Sequence, residues 1–563
     1  MNMKLATLLT LFATAAIAFT KPEPRPGFDW SGVGQIAVQD RGRIKPLDTF
    51  ATESLQFITG NRTWKGMSAV EVLFGWLIAY DKEWEYETFI RIDHNGLKQK
   101  LGFREEDKYF SPKELEQNQL LAPLVREAMQ KEQRKERASD LDKKVLQIQN
   151  QRGLLESILT GRAWTMLPNP QGLNKDWFSL SSLGDQNATL PYEEGAGQKL
   201  TSAIKLVLSS FMARNASDWN PASAELARVL RFDLAPSAYP EMGKIQREIH
   251  YNHLHPFRIA WISYVVAFIA LMTFLVTKAR PASMVGAGAL GFGFLVHAYG
   301  FVLRCLIAGR PPVTNMYESV IWVTWGCVLF SLLIWLAYRN ATIPTASVVF
   351  AIVGLVLADN LPVILDSSIN PLEPVLRSNY WLTIHVLTIT MSYAAFALSL
   401  CLGNVVLGNY FFRASQTAII QQYTLYMYRA MQIGVVLLAA GTILGGIWAD
   451  YSWGRFWGWD PKEVWALIAL LLYLAVLHGR FTGWLKGFGF AATTVVSFLG
   501  VLMAWYGVNF VLGVGLHSYG FGTGGMGYVL GYVLLQVGFI VAAYVRYAKF
   551  RATLSHDPAI FPR

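Results

Sequence analysis

The residues best suited to chemistry lie between Trp448 and Trp465, where the chain reads W-A-D-Y-S-W-G-R-F-W-G-W-D-P-K-E-V-W. Trp448, Trp453, Trp457, Trp459 and Trp465 crowd this stretch, interrupted by Gly454 and Gly458 and closed by Asp460-Pro461. So many indole rings with so little charge form a shelf for a large, flat, apolar ligand with a polar edge. A porphyrin meets that description. One or two tryptophans here would read as the interfacial belt common in membrane proteins. Five in one glycine-broken stretch favour a ligand platform.

Two histidines fall at the ends of hydrophobic segments, at the depth of the tryptophans. They are His385, in N-Y-W-L-T-I-H-V, and His517, in L-G-V-G-L-H-S-Y-G. Neutral imidazole is a good axial ligand for haem iron, and two from opposite faces give a six-coordinate, low-spin iron that holds haem without activating oxygen. On position alone a second reading stays open, a pair of interfacial histidines with their polar tips in water. His478 lies about four turns along the segment that starts at Asp460, roughly 20–25 Å from the tryptophans, and cannot reach the same iron. An ionisable residue inside a membrane is a functional candidate, the alternative being a satisfied polar residue near a helix end. His297 sits roughly 10 Å in from the outer end of its own segment, too shallow to pair with His478, and is expected to pack or tune. Asp460-Pro461-Lys462-Glu463 reads as an N-cap, a proline at N1 and a glutamate at N3, so Asp460 mainly fixes where the tryptophans stand. The charge and location of Arg455 and Lys462 suit the carboxylates of a haem edge, with Arg310 a weaker candidate.

The elements that must position these residues are membrane helices. The 563-residue chain is 53% hydrophobic and only 16% charged, which excludes an ordinary soluble enzyme. Its net charge of +10 is scattered through short interhelical loops, which argues for topology control and against nucleic-acid binding. Cys305, Cys327 and Cys401 lie in or beside apolar segments without a C-x-x-C, which speaks against a disulfide framework or a zinc site. Residues 1–19 read as a secretory signal or an uncleaved anchor, with a small-residue site at Ala16-Ile17-Ala18. Residues 20–255 have soluble composition and form the expected extracytoplasmic domain. Within it, 111–159 predicts long helices in a hairpin, opened by Ser111-Pro112-Lys113-Glu114. His94 is expected to be structural, and the charged run 131–137 to be a solvated helix face. Residues 256–563 hold about nine spans by the length criterion. Lys278, Arg339, Arg429, Arg480 and Arg546 then fall on the cytoplasmic side, with Asp359, Asp366, Asp450 and Glu463 opposite. The expected fold is an all-α polytopic membrane protein with an N-terminal, largely helical extracytoplasmic domain.

The segment W-G-R-F-W-G-W-D-P-K-E resembles the "WWD" signature of haem-handling proteins, and the likeness extends to A-V-Q-D-R-G-R-I-K-P-L-D-T-F at 37–50 and R-C-L-I-A-G-R-P-P-V-T-N-M-Y-E-S at 304–319. The chain is thereby similar to the CcsA/ResC family of system II cytochrome c biogenesis, whose relatives also occur fused to ResB as CcsBA. The resemblance implies that His385 and His517 flank the tryptophan loop as ligands of an outer haem b. It implies that His478 binds haem on its way across the membrane, with a ligand supplied by a separate ResB-like subunit. It further implies a haem lyase (holocytochrome c synthase) that joins haem to apocytochrome c at a C-x-x-C-H motif. Thiol-reducing proteins and membrane lipid would be its other partners. The setting would be a bacterial inner membrane, with the N-terminal domain and the 448–465 loop periplasmic and the C-terminus cytoplasmic. On this resemblance Trp453, Trp457, Trp459, Asp460 and Arg455 contact the haem. The rivals are a haem exporter or chaperone serving a separate lyase, and a haem-containing quinol oxidoreductase. The latter would want paired buried histidines whose depths match, and the chain's depths do not.

Overall fold

The computed structural model describes residues 27–78, 82–134, 136, 139–184, 190–362, 364–372, 378–412, 417–513 and 525–555. The signal segment at 1–19 and His517 lie outside the described residues. The chain divides into two units, Met1–Asn252 and His253–Arg563.

In the first unit, strands Ala37–Asp40 and Arg43–Pro46 pair antiparallel around a tight turn at Arg41 and Gly42, both at positive φ. Two central residues in the left-handed region match the twist of the flanking strands. Lys45 is buried between the carboxylates of Asp40 and Glu53, while the Arg43 guanidinium donates to both oxygens of buried Glu248. The 37–50 motif is thus a structural clasp between a hairpin and the helix Met242–Leu254. The region predicted as long helices is broken into Pro112–Gln117, Leu121–Gln133 and Asp140–Leu159, and the latter two pack as a hairpin. The first break comes where Asn118 turns extended and donates its side-chain amide to the Leu101 carbonyl. Ser111 and Ser139 each close a capping box. In the charged run, Lys131 reaches Glu127 and Asp142, so part of that face ties the hairpin together. His94 is structural: its Nδ1 accepts from the Leu97 N–H and caps helix Asn95–Leu101.

The second unit carries nine helices long and apolar enough to cross a membrane, among the described residues. Within the second unit the first is the helix Pro256–Thr277, and the others are Arg280–Ala308, Met316–Tyr338, Thr342–Asn360, Asn379–Phe412, Ala418–Trp453, Pro461–Phe481, Gly487–Leu512 and Met526–Arg551. They match the expectation of about nine spans over 256–563. In hydrocarbon a helix satisfies its own backbone, which is why apolar stretches of this length fold this way. Ion pairs mark one end of the bundle. Arg258, opening the first span, holds both oxygens of Asp359 at the close of the fourth, and Arg304, near the end of the second, holds Glu318 at the start of the third.

Candidate functional site

At that same end a cleft of about 1250 Å³, counted out to its open mouth, is walled by the start of the third, fifth and seventh spans and the close of the sixth and eighth. Its lining is mostly aromatic and aliphatic, with Trp448, Trp453, Phe456, Trp457, Trp505 and Tyr393 among the rings. Polar groups are few, which is the usual make-up of a site for a large organic ligand.

His385 stands in this wall. It sits in a π-helical turn, Leu382–Val386, that leads into the helix Leu387–Phe412. A second π-helical stretch, Met503–Leu512, brings Trp505 and Asn509 to the cleft from the other side. Such widened turns occur often at functional sites, because the extra residue re-aims side chains within a helix. The His385 Nδ1 lies 2.8 Å from the Gly441 carbonyl oxygen. A carbonyl only accepts, so Nδ1 carries the proton in the neutral ring and Nε2 keeps its lone pair, the form that ligates a metal. The approach depends on glycine. A Cβ on Gly445 would stand 2.6 Å from His385 Cε1, and one on Gly441 would stand 2.8 Å from Ile389 Cβ. Trp448 and His385 pack edge to face with centroids 5.7 Å apart, and Trp448 stacks on Trp381 at 6.3 Å and 7°.

The tryptophans divide into groups that the sequence does not separate. Trp448 and Trp453 belong to the helix Thr417–Trp453, and Trp465 to the helix Pro461–Phe481. The connecting loop is 454–460, begun by Gly454 at φ 68°, which turns the chain out of the helix as a left-handed C-cap. Trp457 lines the cleft, whereas Trp459, at φ 57°, is 71% exposed and packs edge-on against Trp457. Asp460 accepts from the Lys462 N–H, and Glu463 reaches back to the N–H groups of Asp460 and Gly458. The capping box expected at Asp460 is therefore present, and it also pins the loop at Gly458. Arg455 lies over the Trp453 ring and against Gly458, away from the cleft lining, whereas Lys462 lines it.

The Arg304–Ser319 stretch forms the neighbouring rim. Asn315 caps the third span by accepting from the Glu318 N–H, but Glu318 does not return the bond to Asn315. Its carboxylate takes Arg304 on one oxygen and the Thr314 N–H and hydroxyl on the other, with Arg310 3.6 Å away. Arg304 and Arg310 also donate to the carbonyls of Ser367 and Asn370, which ties down the chain on the way to His385.

Two other candidate histidines, His478 and His297, lie elsewhere. His478 is exposed near the far end of its helix, with Nδ1 2.8 Å from the Leu474 carbonyl. His297 is wholly buried, stacked on Phe301 and edge-on to Phe257, with Tyr264 beside Nδ1. Trp381, Trp505, Tyr393 and Asn509 join the site with no mark in the sequence, because nothing local there links distant helices at one depth.

Residues 313–517 match the protein family described as cytochrome C assembly protein. Over 514 residues, 87% of the chain, the sequence is 29% identical to protein NrfI of Wolinella succinogenes, and it spans about half of that protein's length, 54%. It is 35% identical over 254 residues to the cytochrome c biogenesis protein CcsA of Prochlorococcus marinus (strain NATL1A), covering 39% of this chain and 79% of that one. The CcsA of Synechococcus sp. (strain RCC307) is 35% identical over 248 residues, 38% of this chain and 78% of its own.

Proposed function

The chain belongs to the CcsA family of cytochrome c biogenesis proteins, and on that premise we propose that its cleft presents haem b for covalent attachment to an apocytochrome c. The observation that carries this reading is His385, with Nδ1–H committed to the Gly441 carbonyl and the ring's lone pair therefore on Nε2, in the wall of an aromatic cleft. A flat metalloporphyrin matches the cleft's chemistry, with an imidazole for its iron, indoles for its apolar faces and an ammonium for its acidic edge. His517 is the second axial ligand in this reading.

Attachment is an addition. Each thiol of the apocytochrome C-x-x-C-H motif adds across one haem vinyl group, forming a C–S bond at one carbon while the thiol hydrogen goes to the other. Nothing leaves and no net oxidation occurs, so the protein needs no nucleophile of its own. Its part is to hold the vinyl edge where the thiols arrive, and fixed geometry of that kind removes much of a bimolecular barrier. The incoming apocytochrome histidine replaces one axial ligand and releases the product. His478 serves an inner haem whose other ligand comes from a ResB-like subunit. The cleft then lies on the periplasmic side of a bacterial inner membrane.

The test is spectroscopic. His385→Ala in the purified chain with its partner is expected to convert a six-coordinate, low-spin haem spectrum into a five-coordinate one, with imidazole restoring the original. An unchanged spectrum in this variant would refute ligation by His385.

A further inference from the structure

Among the described residues, the one basic side chain lining the cleft makes no ion pair, with Asp460 acting on it only through space. Among its described lining residues Lys462 is the lone lysine or arginine. The two carboxylates beside it in sequence are engaged by backbone: Asp460 accepts from the Lys462 N–H, and Glu463 from the N–H groups of Gly458 and Asp460. Among the described residues the Lys462 ammonium makes one hydrogen bond, a long one of 3.4 Å to Asn509 Oδ1. Asn509 is steadied from behind by its own amide, which donates to the Trp505 carbonyl at 3.0 Å. An ammonium has three donors, and a half-buried one set among indoles loses hydration that a weak amide contact does not replace.

Three other described cations near this end are already committed. Arg455 lies on Trp453, Arg304 on Glu318 and the Ser367 carbonyl, and Arg310 on Thr314 and the Asn370 carbonyl. We infer that Lys462, aided by Asn509, is the docking point for a ligand carboxylate, so that the cleft selects porphyrins with free acid side chains and admits them by one edge. This rests on the haem reading above and adds to it. In haem b the two propionates and the two vinyl groups occupy opposite edges of the ring. A propionate held at Lys462 therefore turns the vinyl edge away from the start of the seventh span, and one lysine sets which groups the thiols meet.

The test compares ferric protoporphyrin IX with its dimethyl ester on the purified full chain, wild type against Lys462→Met and Lys462→Arg. Methionine keeps the length and apolar stem of the side chain and removes only the charge and its donors. The wild type is expected to bind the free acid at least about tenfold more tightly than the ester, as a charge-assisted hydrogen bond implies. Lys462→Met is expected to abolish the preference by weakening the free acid alone, and Lys462→Arg to keep most of it. Equal binding of acid and ester by the wild type would overturn the inference. So would a preference that survives in Lys462→Met, or an equal loss of both porphyrins in that variant. A wild-type chain that takes up neither porphyrin would instead overturn the haem reading of the cleft.

Discussion

Substituting Gly445 by alanine tests the site without touching a ligand. The added Cβ would stand 2.6 Å from His385 Cε1 and 3.2 Å from Nδ1. Carbon atoms settle at about 3.5–4.0 Å, so the imidazole must retreat by about 1 Å. That retreat stretches the 2.8 Å bond from Nδ1 to the Gly441 carbonyl past useful length. Losing the bond costs about 0.5–1.5 kcal/mol and crowding in a packed helix interface about 1–3 kcal/mol. If most of this falls on the ligating geometry, haem affinity drops about tenfold, the equivalent of about 1.4 kcal/mol. Helix propensity works the other way, since alanine is better than glycine by about 0.8–1.0 kcal/mol in a helix interior. The affected helix should therefore not weaken, and a loss cannot be blamed on it. Haem titration followed by absorbance reads both affinity and spin state, and Gly408→Ala, whose Cβ would meet nothing within 4 Å, is the control. Wild-type affinity and a low-spin spectrum in Gly445→Ala would refute the placement of His385 against this glycine.

Two further outcomes follow from the walls and the rim. Trp457→Leu is expected to lower haem retention several-fold, about 0.5–1.5 kcal/mol of aromatic contact beyond area, while Trp459→Leu, outside the lining and mostly exposed, changes it little. Equal effects in a haem-retention assay would favour a simple interfacial belt. Glu318→Ala removes the carboxylate paired with the fully buried Arg304 guanidinium and is expected to destabilise the chain by about 3–5 kcal/mol, seen as a lowered melting temperature in detergent. A further Arg304→Met change is expected to recover part of that loss, and no shift in Glu318→Ala would show that the pair carries no weight.

The parts of this molecule that the sequence reveals are those written in local spacing. Nine apolar stretches of membrane length, the capping boxes at Ser111 and Asp460, and a composition change near residue 255 all depend on residues a few positions apart. The tryptophan stretch and His385 stand out by residue type. What stays hidden is the convergence of distant elements. Trp505 meets the site because its indole N–H donates to the Ser319 hydroxyl at 2.8 Å, 186 positions away. Trp381 joins it by stacking on Trp448. The π-helical turn at His385 is equally silent, since its widened register answers the glycines of a neighbouring helix and not a local signal. Glu318 misleads in the opposite direction, since its spacing from Asn315 looks like the closing residue of a capping box. With Arg304 and Arg310 folded against it, the carboxylate finds stronger, charge-assisted partners than the Asn315 N–H.

His385 and His478 are held by the same bond yet depend on different things. In each, Nδ1 lies 2.8 Å from a carbonyl, which puts the proton on Nδ1 and the lone pair on Nε2. For His385 the carbonyl belongs to Gly441, on a neighbouring helix, so the ring's aim is set by how the fifth and sixth spans pack. For His478 the carbonyl is that of Leu474, one turn back on its own helix, so its aim is carried by that helix alone. The first arrangement suits a site whose walls come from one chain, because any shift between the helices would be felt by a ligand held at Nε2. The second suits an imidazole on an exposed helix face, shared two turns back by exposed Leu471, that must be oriented before anything covers it. A ring so oriented loses less freedom when a second surface closes over it, which favours binding between subunits. The proposed division of labour follows from these bonds: the outer haem answers to packing within this chain, and the inner one to association with another.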